Sequence, residues 1–344
     1  MGGLLLWGAN ASAQGWEPPV SLRETGLYSD WATKTVAADT LSYSPQYPLW
    51  TDGAEKARYI RVPAGTWIDA TLAEEWQFPV GTRLWKEFRF SGRRIETRYI
   101  ERTAEGWRYA AYAWTEDQAD APLAPERGTR SVEIRPGVRH AIPGRFDCRA
   151  CHDGRTTPVL GFTALQLSPD RDPNALHAEA PGPGDVDLAL LVARGVVRNL
   201  PAALLKTPPR IPARNAGERA ALGYLYGNCA MCHNTKGPLA SLGLSFDYAS
   251  GDGRRDAAAI RTAVARPSQF TVPGEAPGHS ERIRPGDPDR SALAVRIASR
   301  NAVLQMPPLG TQLVDEDAVR LVRQWIANDL GTRHALAPRK ETDR

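Results

Sequence analysis

Two short cysteine motifs constrain this chain more than any other part of its sequence. The first motif is Cys148-Arg149-Ala150-Cys151-His152, the second motif is Cys229-Ala230-Met231-Cys232-His233, and together they use all four cysteines. Two thiols three positions apart can reach the two vinyl groups of one porphyrin, and the next residue then places an imidazole under its iron. The motifs therefore predict two covalently bound haem c groups. The predicted binding residues are Cys148, Cys151, Cys229 and Cys232 for attachment, with His152 and His233 as iron ligands.

Four cysteines are also compatible with two disulfides or with a zinc site. A disulfide within Cys-x-x-Cys is usually a labile redox pair, and it needs no histidine after it. A zinc ion held by both cysteine pairs would leave both histidines as spare ligands. The histidine that follows each pair therefore favours haem over these two alternatives.

Length, composition and charge set broad limits on the protein. With 344 residues and 42% hydrophobic residues, the chain can form two or three packed domains. The formal net charge is +4, and the arginines are scattered, so the sequence does not indicate a nucleic-acid-binding protein. A weakly basic surface is suited to an acidic redox partner.

The N-terminal residues resemble the end of a secretory signal. Residues 4–9 are mostly apolar, and Ala11-Ser12-Ala13 fits the small-x-small cleavage rule. We expect residues 1–13 to be the remnant of such a signal, although no basic region precedes it and an ordinary tail is the alternative. Haem c is attached outside the bacterial cytoplasm, so a periplasmic location is expected. No other stretch is apolar and long enough to predict a membrane span.

Residues 14–145 predict a β-rich domain, because short alternating runs are separated by glycine, proline and aspartate. The regular spacing of these runs indicates an antiparallel sandwich or barrel, and we expect a sandwich-like domain. Eight of the ten tryptophans lie here, either filling a small core or forming a ligand platform. The predicted strands include 58–62, 82–90, and runs through 93–99 and 107–113.

Residues 146–213 read as the first haem segment followed by a linker, since proline and glycine are dense from Pro169 to Gly184 and proline recurs up to Pro212. One helix is predicted from Asp185 to Asn199. No methionine lies between His152 and the second motif, so no local thioether is available to the first iron.

Residues 214–334 show a different order of elements, and residues 335–344 form a tail. A predicted helix, Glu218–Asn228, leads into the second motif, and Gly223 within it permits close approach of a crossing helix. A loop near Gly237 follows. The segment ends with a helix that Asp315 caps and that continues to Leu330.

This order resembles class I cytochrome c over roughly residues 214–332. The resemblance implies a mainly α domain, with His233 as proximal ligand and Met306 as distal ligand. Met306 lies in Gln305-Met306-Pro307-Pro308, whose prolines stiffen the loop, and the alternative is a core methionine.

The whole chain resembles di-haem c-type cytochromes with a β-rich N-terminal domain. This wider resemblance rests on Tyr47-Pro48-Leu49-Trp50-Thr51-Asp52-Gly53-Ala54 and on Gly161-Phe162-Thr163-Ala164-Leu165-Gln166-Leu167. It implies a multidomain protein with two haem c groups. For its function we expect an electron carrier between a dehydrogenase or other donor and a respiratory acceptor.

The sixth ligand of the first iron is open in the sequence. His140 lies just upstream and is the first choice, His279 is the second, and His177 and His334 are expected at the surface. Two six-coordinate irons would make the protein an electron carrier, whereas a vacant iron would favour a di-haem peroxidase. A third alternative is a β binding module that docks a dehydrogenase or a polymer and passes its electrons to the haems.

Overall fold

Strands dominate the N-terminal part of the chain in the computed structural model, which describes residues 16–250 and 257–331. Five of the strands, β3, β4, β6, β7 and β8, form one antiparallel sheet in that order, and the others pair two by two. An antiparallel β-rich region is therefore confirmed. The strands are Tyr28–Asp30 (β1), Thr35–Val36 (β2), Leu41–Ser42 (β3), Glu55–Arg61 (β4), Ile68–Asp69 (β5), Arg83–Phe90 (β6), Arg93–Thr103 (β7), Gly106–Ala113 (β8), Thr129–Arg135 (β9), Val138–Ile142 (β10) and Val197–Arg198 (β11).

The β6–β7 hairpin shows how local sequence sets the sheet register. Ser91 and Gly92 connect the strands, with φ of 49° and 76°. Two consecutive positive φ angles are typical of the tight turn whose twist matches that of the flanking strands. Phe90 therefore pairs with Arg93, the register shifts once between Arg89 and Phe88, and regular pairing then runs from Phe88 with Glu96 to Arg83 with Glu101.

The two faces of the five-stranded sheet pack against different partners. One face, which we call the motif face, carries Ile60, Leu84 and Ile100 in neighbouring register positions. These residues pack with Phe162 and Leu167, which follow the first motif in sequence. The opposite face packs Trp85, Tyr99 and Tyr112 against Leu22 and Leu27.

The layer over the motif face is not a second large sheet. Among the residues that the structure describes, the remaining strands form only two-stranded pairs. Irregular chain from Val159 onward covers the motif face instead, so the sandwich predicted from strand spacing lacks a second sheet of comparable size.

Tryptophans in this region mainly fill the core. Trp76 and Trp85 are almost completely enclosed, and Trp50 and Trp114 are buried, whereas Trp67 is exposed. The interpretation of the tryptophans as core residues therefore holds for Trp50, Trp76, Trp85 and Trp114, and not for Trp67.

The predicted linker is attached to the β-rich part. The helix expected from Asp185 to Asn199 is shorter, Leu188–Ala193 (α2), with Asp187 as its cap. Gly195 has a positive φ of 67°, which ends the helix, and β11 then pairs in parallel with β5. The helix was overpredicted because Val196 and Val197 fit a strand as well as a helix face.

Short helices and long loops make up the rest of the chain. The helix into the second motif and the capped C-terminal helix were both predicted, but the mainly α character of this part is not established. Helices are Arg145–His152 (α1), Ala203–Lys206 (α3), Ala216–Cys229 (α4), Ala258–Ala263 (α5), Ala292–Ile297 (α6) and Glu316–Gln324 (α7), followed by a π-helical turn, Trp325–Leu330; 3-10 turns lie at Leu22–Thr25, Ala240–Leu242 and Pro288–Arg290.

Helices α4 and α7 cross in the C-terminal core. The Trp325 indole donates a hydrogen bond to Glu218 Oε2 at 3.2 Å. Side-chain oxygens of Asn215 and Asp315 cap α4 and α7 by accepting from Glu218 N and Ala318 N. These caps and the buried contact fix where both helices begin and how they meet.

Within the described ranges, no helix has the length and apolar character needed to cross a bilayer. The predicted signal remnant at residues 1–13 and the tail at residues 335–344 lie outside these ranges.

Candidate functional site

The first motif lies on α1, which packs against β8. Gly144 N donates to Asp147 Oδ2 at 2.9 Å and so secures the start of this short helix. Cys148 and Cys151 are one helical turn apart and therefore share a face of α1. The local fold thus presents both thiols of the first motif in one direction.

His152 ends the first motif as a neutral imidazole with a defined tautomer. Its Nδ1 donates to the carbonyl oxygen of Pro158 at 2.6 Å, because a carbonyl can only accept. Burial lowers the pKa of His152 to about 4. The ring lies 5.2 Å from the Tyr109 ring, whose hydroxyl donates to Asp153. Nε2 therefore carries the lone pair that an iron ligand needs.

The second motif begins at the last residue of α4, and an N-terminal segment holds that helix end. Asn228 Oδ1 accepts from Trp50 N at 2.8 Å, and its amide nitrogen donates to Pro48 O. Gly223 faces the ring of Tyr47, so the expectation that this glycine accommodates a crossing helix is wrong. The segment Tyr47–Trp50 thus positions the second motif.

His233 has a less complete environment than His152. Its Nδ1 is buried and has no hydrogen-bond partner in the part of the chain that is described. The ring packs edge-on to Phe246 at 5.7 Å between centroids, and Phe246 N donates to His233 O. Burial, with smaller contributions from Arg296 and Arg282, lowers the pKa of His233 and favours its neutral form.

The two motifs are in direct contact. The thiols of Cys151 and Cys232 lie close enough to interact, and this interaction raises the pKa of Cys151. Asn234 Nδ2 donates to Gly154 O at 3.0 Å. A Cβ on Gly154 would lie 2.5 Å from Met231 O, so only glycine permits this approach. The sequence contains no signal for this contact, because neither motif encodes its distance from the other.

The donor geometry also bears on the alternatives to haem. All four cysteines are free thiols. Between residues 16–250 and 257–331, no group of three or more His, Cys, Asp or Glu side chains is arranged to hold a metal ion. The donors present are two thiol pairs and two imidazoles, which is the set that haem c uses.

Met306 packs against the C-terminal core. Its backbone nitrogen donates to Arg296 O at 3.0 Å, which holds the loop against α6. Its side chain is partly buried and packs against the same C-terminal core as Cys229. Loop and core thus place a thioether and the second motif in one neighbourhood.

His140 does not have a free nitrogen for iron. The side chain is buried, with Nε2 3.0 Å from Glu96 Oε1 and Nδ1 3.4 Å from Asp52 Oδ2. Burial alone would lower the pKa of His140, but its hydrogen bonds to Asp52 and Glu96 raise it. Because each ring nitrogen faces a carboxylate oxygen, His140 has no nitrogen turned towards an iron, so this geometry argues against His140 as the sixth ligand.

Two of the remaining candidate histidines, His177 and His279, lie within the described residues. His177 Nε2 bonds to Asp315, the cap of α7, at 2.9 Å. His279 is exposed in a loop, and His334 lies outside the described residues.

A cavity of about 460 Å³ separates the β-rich part from the C-terminal core. Arg155 pairs through one guanidinium nitrogen with both oxygens of Asp247, at 2.8 and 3.0 Å. Glu74 accepts from the Ser250 hydroxyl at 2.5 Å, and burial raises the pKa of Glu74 to about 8. Sequence reasoning did not find this cavity, because Glu74 and Asp247 come from distant loops without a motif.

Comparisons with protein-family models, with curated proteins and with solved structures find no match for this chain.

Proposed function

We propose that this protein is a periplasmic di-haem c-type cytochrome that carries electrons between a dehydrogenase or other donor and a respiratory acceptor. The contact between the two motifs carries this proposal. Because Asn234 donates to Gly154 O and Gly154 packs against Met231 O, the two attachment sites are immediate neighbours. Adjacent redox centres suit electron transfer, because transfer rates fall steeply with distance.

The protein residues supply attachment, orientation and ligand field. In this proposal Cys148 and Cys151 hold one haem c, and Cys229 and Cys232 hold the other. The carbonyl of Pro158 fixes the His152 tautomer, so Nε2 would be the nitrogen that holds the iron. Haem iron supplies reversible one-electron chemistry when it is bound.

Met306 is proposed as the distal ligand at the second motif. Its packing against the same C-terminal core as Cys229 supports this role. A methionine ligand favours the ferrous state over the ferric state, so the second haem is proposed to have the higher potential. The crossing of α4 and α7 and the loop around Met306 also support a class I cytochrome c domain over residues 214–332.

A di-haem peroxidase is the second candidate function. It is favoured by one observation, that Asp52 and Glu96 occupy both nitrogens of His140. The first iron then has no assigned sixth ligand, and a vacant position would bind small oxidants.

The first experiment measures covalent haem. We expect the protein, expressed with a cytochrome c maturation system, to contain two haem c per chain that resist acid-acetone extraction. The double variants Cys148→Ala/Cys151→Ala and Cys229→Ala/Cys232→Ala should each retain one. Met231→Leu is the matched control, because it changes a residue of the second motif that is not expected to attach haem or ligate iron. This variant should retain both haem groups. Wild-type protein without covalent haem would contradict the proposal.

The second experiment tests the ligand assignments. Met306→Ala should lower the potential of one haem and open its iron, while Met306 in the wild type keeps that iron low-spin. An unchanged spectrum in Met306→Ala would refute the assignment. Carbon monoxide binding to ferrous wild-type protein, together with peroxide turnover, would favour the peroxidase over the carrier.

A further inference from the structure

Three basic side chains lie side by side on the motif face of the sheet. Arg58 on β4 pairs in register with Lys86 on β6, and Lys86 pairs with Arg98 on β7. We call these three residues the cation row. Side chains directly opposite each other on neighbouring strands are about 5 Å apart at Cβ, and like charges at that distance destabilise a sheet. Such a row therefore needs compensating negative charge.

The protein supplies only part of that charge. Arg58 Nη1 pairs with Glu179 at 2.8 Å, and Arg98 Nη2 pairs with Glu96 at 2.6 Å. Glu96 also bonds to His140, so its charge is shared. Lys86 has no carboxylate partner among the residues described. The cation row thus has more basic groups than the carboxylates around it can neutralise, and burial together with Arg58 and Arg98 lowers the pKa of Lys86 well below its ordinary value.

Unused hydrogen-bond donors mark the same place. Arg58 Nη2 and Arg98 Nε are buried and have no partner in the described structure. The Arg58 side chain is only 4% exposed, so water does not readily take the place of a partner. Buried guanidinium nitrogens without an acceptor are costly, and planar carboxylates are acceptors that match their geometry.

The cation row is next to the first motif. Arg98 pairs in register with Ala111 on β8, and α1 packs on this strand. Tyr109, on the same face of β8, contacts the His152 ring. Burial is the main cause of the lowered pKa of His152, and the positive charges of Arg98 and Lys86 lower this pKa further. The row and the first motif therefore share one side of the sheet.

We propose that Arg58, Lys86 and Arg98 form a buried carboxylate-binding site whose ligands are the propionates of the porphyrin attached at the first motif. This inference rests on the proposed function, because it takes the first motif to hold haem c. Two propionates would supply the missing negative charge and the missing acceptors together. A free small carboxylate has the same chemistry, and the experiment separates the two sources.

The test replaces Lys86, for which the described residues provide no carboxylate partner. In Lys86→Met, the stem is kept and the charge is lost, so an uncompensated propionate charge should favour ferric iron. We expect the potential of the first haem to fall by about 59 mV, a tenfold change in the equilibrium constant for a one-electron couple. The readout is a spectroelectrochemical titration of the di-haem protein, with the first haem identified as the one that Met306→Ala leaves unchanged.

Two control variants separate charge from structure. Lys86→Arg keeps the charge and should keep the wild-type potential. Arg83→Gln removes a cation from the opposite face of the same strand, where Arg83 pairs with Glu101, and should leave the first haem unchanged. If Lys86→Met does not fold, Lys86→Gln is measured by the same criteria.

Each outcome decides the proposal. If Lys86→Met contains two haem c per chain and the potential of the first haem is unchanged, the cation row does not bind the propionates. The proposed function would still stand. A shift of the wild-type potential on adding acetate at constant ionic strength would show that the row is open to free carboxylates, and would overturn the propionate assignment. Wild-type protein without haem c would overturn both proposals.

Discussion

Replacing Gly223 with alanine tests how the second motif is held. A Cβ at this position of α4 would lie 2.0 Å from Tyr47 Cε1 and 2.3 Å from Tyr47 Cδ1, and real Cβ contacts are essentially never below 3.0 Å. The ring or the helix must therefore move. The ring is buried, and its hydroxyl bonds to Asp172 Oδ2 at 3.3 Å. The backbone nitrogen and oxygen of Tyr47 are both bonded to Gln166.

Tyr47 is held both at its hydroxyl and at its backbone, and this determines how much Gly223→Ala should destabilise the protein. Overpacking a core usually costs 1–3 kcal/mol, and sites that cannot relax lie at the upper end, so we expect Gly223→Ala to lower the free energy of unfolding by about 3 kcal/mol. If α4 moves instead of the ring, Asn228 loses its bonds to Trp50 and Pro48, and the second motif shifts away from the first.

Gly217→Ala is the matched control, because it makes the same change in the first turn of the same helix. Its Cβ would meet nothing closer than Asn215 Oδ1 at 3.5 Å. Alanine should then stabilise the protein by up to about 1 kcal/mol through its helix propensity. Guanidinium denaturation followed by tryptophan fluorescence gives both values. If the two variants are equally stable, the Tyr47 contact does not hold α4 and the argument is refuted.

Three further predictions concern single side chains. Asn234→Ala removes the amide that donates to Gly154 O and to two other carbonyls, and should lower the free energy of unfolding by about 2–4 kcal/mol in guanidinium denaturation; full wild-type stability would contradict the motif contact. Glu74 has its pKa raised by burial to about 8, so the folded state holds an extra proton between the ordinary glutamate value and about 8. Stability should therefore fall as pH rises through that window, by up to about 1.4 kcal/mol per pH unit, and Glu74→Gln should remove this slope in denaturation curves at pH 5 to 8. Asp315→Ala removes the cap of α7 and should cost about 1 kcal/mol, which an unchanged thermal midpoint would disprove.

Local patterns predicted the elements but not their neighbours. Alternating side chains placed β6, β7 and β8, and the capping residue Asp315 placed the start of α7, because these signals act over a few residues. Gly223 was assigned the wrong partner because a glycine in a helix shows that something approaches closely, not what approaches. The helix predicted from Asp185 was too long because its C-terminal valines pair with β5 instead.

The candidate site was predictable residue by residue but not as an assembly. The motifs identify their own thiols and imidazoles, since the spacing itself encodes the chemistry. The pairing of His140 with Asp52 and Glu96 depends on three distant segments. The cation row likewise depends on strand register, which determines that Arg58, Lys86 and Arg98 become neighbours.

The β-rich part explains why the first motif has no helical domain of its own. A haem needs walls that exclude water, and the chain after His152 is too rich in loops to build them alone. The motif face supplies one wall, because α1 packs on β8 and Tyr109 contacts His152. The same face supplies the cation row beside that contact. If the first haem is held in this way, unfolding of the sheet should change the environment of the first haem and spare that of the second. Mild denaturation should therefore change the two haem spectra in two steps, with the first haem changing together with the sheet's circular dichroism. A single cooperative step with no difference between Cys148→Ala/Cys151→Ala and wild type would show that the sheet does not serve as that wall.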